Sequence, residues 1–241
     1  NYVYKKLKYY SPVKSGLFFY MKVSIQGIKG SFHHMVANEY FESFELLECS
    51  TFENLVKSID KEESDFGVMA IENSIAGSIL PNYALIDEYN LYITGEHYLN
   101  INHNLMCMAG QKIDEIYEVQ SHPMALLQCS KFFNNYPNIK LIESEDTALF
   151  AKKIKDEGML GVAAIASKDA SEIYNLEILN ESIQTIKNNK TRFVILEKKK
   201  TNDEFNKAAL KFILDHKRGS LASVLKMMSD CSLNLTKIQS L

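Results

Sequence analysis

The sequence predicts an α/β protein with largely parallel strands, followed by a smaller βαβ unit. Two observations carry this. From residue 22 to about 196, short apolar runs alternate with amphipathic segments, the pattern of strands joined by helices. Residues 197–206, Glu-Lys-Lys-Lys-Thr-Asn-Asp-Glu-Phe-Asn, are then nearly all polar and read as a linker, after which a new unit begins. A chain of 241 residues that is 46% hydrophobic and 24% charged can bury such a core and lacks the composition of a disordered protein.

Residues 1–20 hold five of the 13 tyrosines, four lysines and no acid, and are expected to be a non-native or disordered leader ahead of Met21. The apolar Leu17-Phe18-Phe19 falls short of a signal-peptide core of about 7–15 residues. Strands are expected at Val23–Ile25, Phe66–Ile71, Leu91–Thr94, Ile116–Gln120, Lys140–Ile142, Leu160–Ile165 and Phe193–Leu196, with helices between them. Ser50 with Glu53 reads as a capping box ahead of Leu55, Val56 and Ile59. Pro123 suits the first turn of a helix over Met124–Phe133, and Gly158 suits the C-cap of one beginning at Thr147. Beyond the linker, Ala208–Leu214, Gly219–Ser229 and Leu233–Leu241 read as strand, helix and strand, half of a ferredoxin-like module.

Several function classes are disfavoured. A net charge of −3 is wrong for a protein that grips a phosphate backbone. The four cysteines, at 49, 107, 129 and 231, form no CxxC pair, which argues against a zinc site or a disulfide framework and fits a reducing cytoplasm. No apolar run approaches the roughly 20 residues that span a bilayer. His33 and His34 are adjacent and point to different sides of a helix, and His97 and His103 lack a metal-site spacing. No nucleophile elbow or Walker loop occurs, so any enzymatic activity is expected to need neither metal nor nucleotide.

Four stretches carry more polarity than plain structure requires. Gln26–Phe32 is a glycine-containing loop between a strand and a helix; it either aims helix N–H groups at an anion or simply makes a tight turn. Glu72-Asn73-Ser74 follows a buried strand at its carboxyl end, where open α/β sheets bind ligands, though a capped turn reads the same way. In Gln120–Gln128 another strand ends and a helix begins; Ser121 either caps that helix or donates to a carboxylate. Asn189–Phe193 leads into a strand, and Arg192 suits either bidentate capture of a carboxylate or a surface ion pair.

Together, in this order, these stretches resemble prephenate dehydratase over roughly Lys22 to the last residue. The matching motifs are the Gly-x-x-Gly loop at Gly27–Phe32, Glu72–Gly77, Ser121–Cys129, Thr147-Ala148, Ala163–Ser167 and the Asn-x-Thr-Arg-Phe of Asn189–Phe193. Gly219–Ala222 and Leu233–Ile238 are similar to the loop and following strand of a regulatory ACT domain. Asp146 stands where the family has Ser or Thr, Thr185 where many members have Asp, and Gln239-Ser240-Leu241 where the ACT region has Glu-Ser-Arg-Pro.

The resemblance implies a catalytic domain over 21–196 with two lobes like a type II periplasmic binding protein, a linker over 197–206 and a partial ACT domain over 207–241. It implies crossovers between lobes at 72–78 and near 180–190. The implied activity converts prephenate to phenylpyruvate, water and carbon dioxide in L-phenylalanine biosynthesis, as a carbon–oxygen lyase. Thr191 takes the catalytic role, donating a hydrogen bond or relayed proton to the departing hydroxyl. Asn73, Ser74, Ser121, Gln128 and Thr147 line the cleft as neutral donors, with Ser31 in the glycine loop. Arg192 anchors a carboxylate or braces Thr191, Glu72 orients Asn73 or acidifies a neighbour, and Phe193 packs on the substrate ring or in the core. Gly219, Ser220, Leu221, Ala222, Asn234 and Leu235 would bind L-phenylalanine as allosteric effector, in a cytoplasmic homodimer or homotetramer. The alternatives are an arogenate dehydratase and a non-catalytic solute-binding or amino-acid-sensing protein of the same fold.

Overall fold

The structure, a computed structural model, describes residues 2–4, 21–199 and 207–240. In chain order its elements are β1 (Tyr2–Tyr4), β2 (Lys22–Gln26), α1 (Phe32–Tyr40), β3 (Glu45–Cys49), α2 (Phe52–Asp60), β4 (Phe66–Asn73), β5 (Gly77–Ser78), α3 (Leu80–Glu88) and β6 (Tyr92–Asn100). There follow β7 (Asn104–Cys107), β8 (Glu118–Ser121), α4 (Pro123–Phe133), β9 (Lys140–Glu143), α5 (Thr147–Glu157), β10 (Val162–Ala166) and α6 (Lys168–Tyr174). The last are β11 (Glu177–Asn180), β12 (Lys190–Glu197), β13 (Lys207–Ala209) and α7 (Ser220–Asp230).

The strands assemble into two sheets, one per lobe. The first has the order β3-β2-β4-β12-β6, with β5 paired to β4; the second has the order β11-β7-β10-β8-β9. Strand alternation gives each sheet two buried faces. In the first lobe Val23, Ile25, Phe193 and Ile195 pack with Val36, Ala37 and Tyr40 of α1. Met69, Ile71, Val194 and Leu196 point the other way, against Leu55, Val56 and Ile59 of α2 and Ile86 of α3. The α2 contact is tight: a Cβ on Gly67 would lie 2.5 Å from Ile59 Cδ1, so only glycine lets the helix sit this close. The second lobe repeats the plan, with α4 on one face and α5 and α6 on the other.

Three sequence expectations need correction. The sheets are mixed: β2 runs parallel to β3 and β4, and β8 to β9 and β10, but β12 is antiparallel to β4 and β6, and β7 to β10 and β11. The antiparallel strands are those that enter a lobe from the other one. Segment 72–78 is therefore no crossover; it turns from β4 into β5 within the first lobe. The chain crosses at 101–103, between β6 and β7, and returns at 181–189, between β11 and β12. The α2 cap is Thr51, whose Oγ1 accepts from Asn54 N at 3.1 Å, one residue after Ser50. Pro123 and Gly158 hold the expected positions, at the start of α4 and as the left-handed C-cap of α5.

Beyond the first two sheets, β13 pairs antiparallel with β1, and α7 follows. No strand forms over Leu210–Leu214 or Leu233–Ser240, where Ile213, Leu233 and Ile238 are exposed. Strand-like side chains without a partner ladder do not settle into a strand. Residues 5–20 of the expected leader and 200–206 of the expected linker lie outside the described residues.

Candidate active site

The motif stretches converge because most follow the carboxyl end of a strand, while Asn189–Phe193 opens β12, which runs antiparallel to β4 and so starts beside its end. In the second lobe β8, β9 and β10 feed the N-termini of α4, α5 and α6; in the first, β2 feeds α1, and β4 ends at Asn73. The lobes touch through the glycine loop. Ser167 Oγ donates to Gly30 O at 2.5 Å and Tyr174 Oη to Lys29 O at 2.6 Å, while Ile28 packs on the second lobe's core. Gly30 has φ +86°, and a Cβ there would meet Ala170 Cα at 2.9 Å.

A hydrogen-bond chain joins the lobes beside this contact. The side-chain oxygen of Asn73 accepts from Ile75 N and Ala76 N, both at 2.9 Å. Its amide nitrogen donates to Asn189 Oδ1 at 2.7 Å and to Thr191 Oγ1 at 2.9 Å. Asn189 Nδ2 donates to Gln128 Oε1 at 2.9 Å, and His103 Nε2 meets the same oxygen at 2.9 Å. Thr191, on β12, faces Asn73 across the strand pair. Ser74 clamps the turn: its hydroxyl accepts from Lys190 N and its own N–H donates to Lys190 O. The crossovers that carry His103 and Asn189 bind each other, through Ile101 N to Asn189 O at 2.8 Å and Ile183 N to His103 O at 2.8 Å.

This chain explains why the Thr191 hydroxyl can act as a donor. Backbone N–H groups occupy the Asn73 oxygen, so the Asn73 amide must present hydrogens to Thr191. Thr191 Oγ1 accepts there and keeps its own hydrogen to donate, and an accepted hydrogen bond strengthens a donated one. Thr191 is 7% exposed and Asn189 wholly buried, so these bonds act in a weakly screened setting.

The remaining expected site residues divide. Ser31 caps α1 by accepting from His34 N at 3.2 Å and is buried. Ser121 is not a cap: it ends β8, and its hydroxyl donates to Ile165 O at 2.6 Å, while His122 caps α4. Thr147 is the first residue of α5, behind Asp146, whose carboxylate accepts from Ala148 N and Leu149 N. Burial pushes the Asp146 carboxyl above its ordinary value, partly offset by those two N–H groups. A Cβ on Gly27 would lie 2.9 Å from Asp146 Oδ2 and 3.3 Å from Ser31 Cβ, so the α1 and α5 N-termini meet across the lobes.

Arg192, Glu72 and Phe193 take other places. Successive strand residues alternate, so Arg192 lies on the sheet face opposite Thr191. There its Nε and Nη2 reach Glu96 Oε2 at 2.9 and 2.8 Å, and Glu72 sits 3.9 Å from Nη1. Its guanidinium braces β12 against β6 rather than lining the Thr191 face, which corrects the carboxylate-anchor expectation. Glu72 on the same face pairs with Lys237 at 2.8 Å. Phe193 is core, 1% exposed and edge-on to His33 with ring centroids 5.0 Å apart.

Sequence reasoning missed two members of the chain, Asn189 and His103. Asn189 stood inside a quoted motif, and its signal was its place two residues before Thr191. His103 was weighed only as a metal ligand. Among the described residues, no three His, Cys, Asp or Glu side chains are grouped to hold a metal, and no helix is long and apolar enough to cross a membrane. Two open surface cavities are present among the described residues, the first beside the return crossover that binds His103 and Gln128. One of about 350 Å³ borders Phe132 and Glu181–Thr185; the other, of about 420 Å³, is lined by Leu214–Arg218 and by the expected effector residues Ser220 and Leu221.

A two-lobed α/β protein with a buried polar chain at the lobe junction is the class these features define. The prephenate dehydratase family model matches residues 23–201, and the chain belongs to that family. It is 36% identical over 224 residues to a bifunctional chorismate mutase/prephenate dehydratase of Buchnera aphidicola, covering 90% of this chain and 58% of that one. It is 38% identical over 223 residues to arogenate dehydratase/prephenate dehydratase 1, chloroplastic, of Arabidopsis thaliana, covering 91% of this chain and 57% of that one. The chain thus spans less than three fifths of the length of these two relatives. The crystal structure of the prephenate dehydratase from Staphylococcus aureus superposes with a TM-score of 0.72 at 26% identity, over 91% of this chain and 83% of that one.

Proposed function

We propose that this chain catalyses the decarboxylating dehydration of prephenate to phenylpyruvate, as a hydro-lyase in L-phenylalanine biosynthesis. The observation that carries the reading is the bond from Asn73 Nδ2 to Thr191 Oγ1, which makes Thr191 the acceptor there and leaves its own hydrogen to donate. In the reaction the C–C bond to the ring carboxylate breaks and releases carbon dioxide. Its electron pair enters the ring, the C–O bond breaks, and the hydroxyl leaves as water once it has gained a proton. Aromatisation supplies the driving force, so the protein needs to hold a dianion in one pose and assist the leaving oxygen. Thr191 donates to that oxygen, directly or as one link of a relay. Gln128 and Thr147 are neutral donors, which orient carboxylates without making carbon dioxide loss harder; the Ser74 hydroxyl, which donates to Asn188 O at 3.4 Å, holds the turn beside them. Asn73, Ser31 and Ser121 hold the backbone that frames them. The chemistry calls on no cofactor.

The catalytic domain is assigned to 21–196 and a partial ACT unit to 207–241. L-phenylalanine is the proposed effector, at Gly219–Ala222 with Asn234 and Leu235, in a homodimer or homotetramer. The four free cysteines suit a reducing compartment, and the cytoplasm is the proposed location. Arogenate is the second candidate substrate, favoured by the likeness to a relative named for both activities.

The test is prephenate turnover at neutral pH, with phenylpyruvate read by its alkaline absorbance, for wild type beside Thr191→Val. Neutral pH suppresses the spontaneous acid reaction. The expected result is rapid turnover by wild type and a loss of about 10²–10³-fold in kcat for the variant, the scale of one lost transition-state donor. A folded wild type that leaves prephenate untouched and converts arogenate would move the assignment to the aminated substrate. Activity on neither would remove the enzyme reading.

A further inference from the structure

We infer that His103 is a positioning residue which, as its Nε2–H tautomer, holds Gln128 with the amide NH2 turned toward the substrate. The inference rests on the dehydratase reading and deepens it. Amide orientation and histidine tautomer follow from the bonding network, so the direction must start from groups whose polarity is fixed. Backbone N–H groups are such groups. Ile75 N and Ala76 N fix the Asn73 atom they meet as oxygen. The other Asn73 atom is then nitrogen, so the Asn189 atom 2.7 Å from it is oxygen. The remaining Asn189 atom is nitrogen and donates to Gln128, whose contacting atom is therefore oxygen. His103 Nε2 reaches that same oxygen at 2.9 Å and must carry the hydrogen.

A second observation agrees. His103 is 4% exposed, and its Nδ1 has no hydrogen-bond partner. In the Nε2–H form that atom is a bare lone pair. The opposite tautomer would bury an unsatisfied N–H and set two lone pairs against each other at Gln128, which costs more. Desolvation also lowers the imidazole to about 4, so the ring stays neutral at physiological pH.

The ring is clamped where the lobes meet. Its backbone N–H donates to Gln184 Oε1 at 2.9 Å and its carbonyl accepts from Ile183 N, both on the return crossover. Its edge meets Phe32 at the start of α1, with centroids 5.6 Å apart. Gln128 Oε1 thus takes two hydrogens, from His103 and Asn189, and its own NH2 is the group left to donate. If His103 could not donate, the Gln128 amide would be held by Asn189 alone and free to turn.

The test combines a spectroscopic and a kinetic reading. In wild type labelled with ¹⁵N-histidine, the imidazole shifts of His103 should report Nε2–H, and an Nδ1–H signature would overturn the inference. His103→Leu should lower kcat/KM by up to about 10²-fold, chiefly through KM, as a misplaced binding group does. His103→Gln, which puts an amide donor near the position of Nε2, should restore most of that loss. Gln128→Leu should lose as much as His103→Leu, with the double variant no worse than Gln128→Leu alone. Full additivity, or no rescue by His103→Gln, would overturn the inference. If His103→Leu does not fold, the tautomer signal and the pair His103→Gln and Gln128→Leu still decide it. Wild type without prephenate or arogenate turnover would remove the dehydratase reading and the substrate-facing role with it. An Nδ1–H signal in an active enzyme would overturn the inference alone.

Discussion

Changing Asn73 to aspartate replaces only the amide nitrogen, the atom that sets the direction of the whole chain. In the native protein that nitrogen donates to Asn189 Oδ1 at 2.7 Å and Thr191 Oγ1 at 2.9 Å. A carboxylate keeps the other oxygen on Ile75 N and Ala76 N but offers only acceptors to both partners. Two donated bonds are lost, worth about 1–3 kcal/mol of stability together. The new oxygen also faces Asn189 Oδ1 at contact distance, so the Asn189 amide must turn and stop donating to Gln128. Thr191 then donates to the introduced carboxylate in place of a ligand, the reverse of its native role. Because the hydroxyl is present but misdirected, kcat should fall by about 10²–10³-fold, the cost of one lost transition-state donor. The assay is phenylpyruvate formation at neutral pH, with urea unfolding to separate activity from stability. A melting temperature lower by about 2–4 °C for each kcal/mol lost should accompany the kinetic change. Wild-type kcat in a folded Asn73→Asp protein would refute the argument that Asn73 frees the Thr191 hydrogen.

Three further perturbations test other parts of the fold. Gly30→Ala sets a Cβ against Ala170 Cα at φ +86°; it should cost more than about 1 kcal/mol and lower kcat/KM by loosening the lobe contact, as read by melting and kinetics. Glu96→Leu removes the carboxylate 2.8 Å from Arg192 Nη2 and 2.6 Å from Lys207 Nζ and should cost about 3 kcal/mol in urea unfolding, the low end for a broken buried pair. His103 has an ordinary value of 6.5 and about 4 in the fold, so between those pH values the unfolded chain binds a proton that the native one does not. The stability from its neutral ring is therefore present above pH 6.5 and lost as pH falls toward 4, by about 1.4 kcal/mol per pH unit and about 3 kcal/mol in all. His103→Gln should lower the slope of the stability–pH curve by about 1.4 kcal/mol per pH unit, measured by urea unfolding between about pH 7 and 4.5, leaving the slope due to His33 and His34, which burial also lowers.

Local pattern carries far in this chain. Runs such as Phe66–Ile71 and Phe193–Leu196 became central strands because unbroken apolar residues demand burial on both faces. The alternation of such runs with amphipathic segments settled the α/β class, and the ordered motifs settled the family and named Thr191, Asn73 and Gln128. Pairing partners were another matter. β3, β7 and β11 were missed, since short strands of mixed polarity show little periodicity and are fixed by the neighbour they join. The mixed sheets and the true crossovers at 101–103 and 181–189 follow from which strand enters which lobe, a long-range choice with no local signature.

The same division holds within the site. Residue type alone made Arg192 look like a carboxylate ligand, but strand alternation and Glu96, 96 residues away along the chain, put it on the far face. His103 and Asn189 gained their roles only when two crossovers, 86 residues apart, were tied together beside Asn73 and Gln128. Fold class and family were legible in the residues alone, because these rest on short-range patterns. Packing of the two lobes set which way each amide points and so which hydrogen is left for a substrate. A hydrogen bond's direction depends on its partner, and here the partners come together only when the lobes meet.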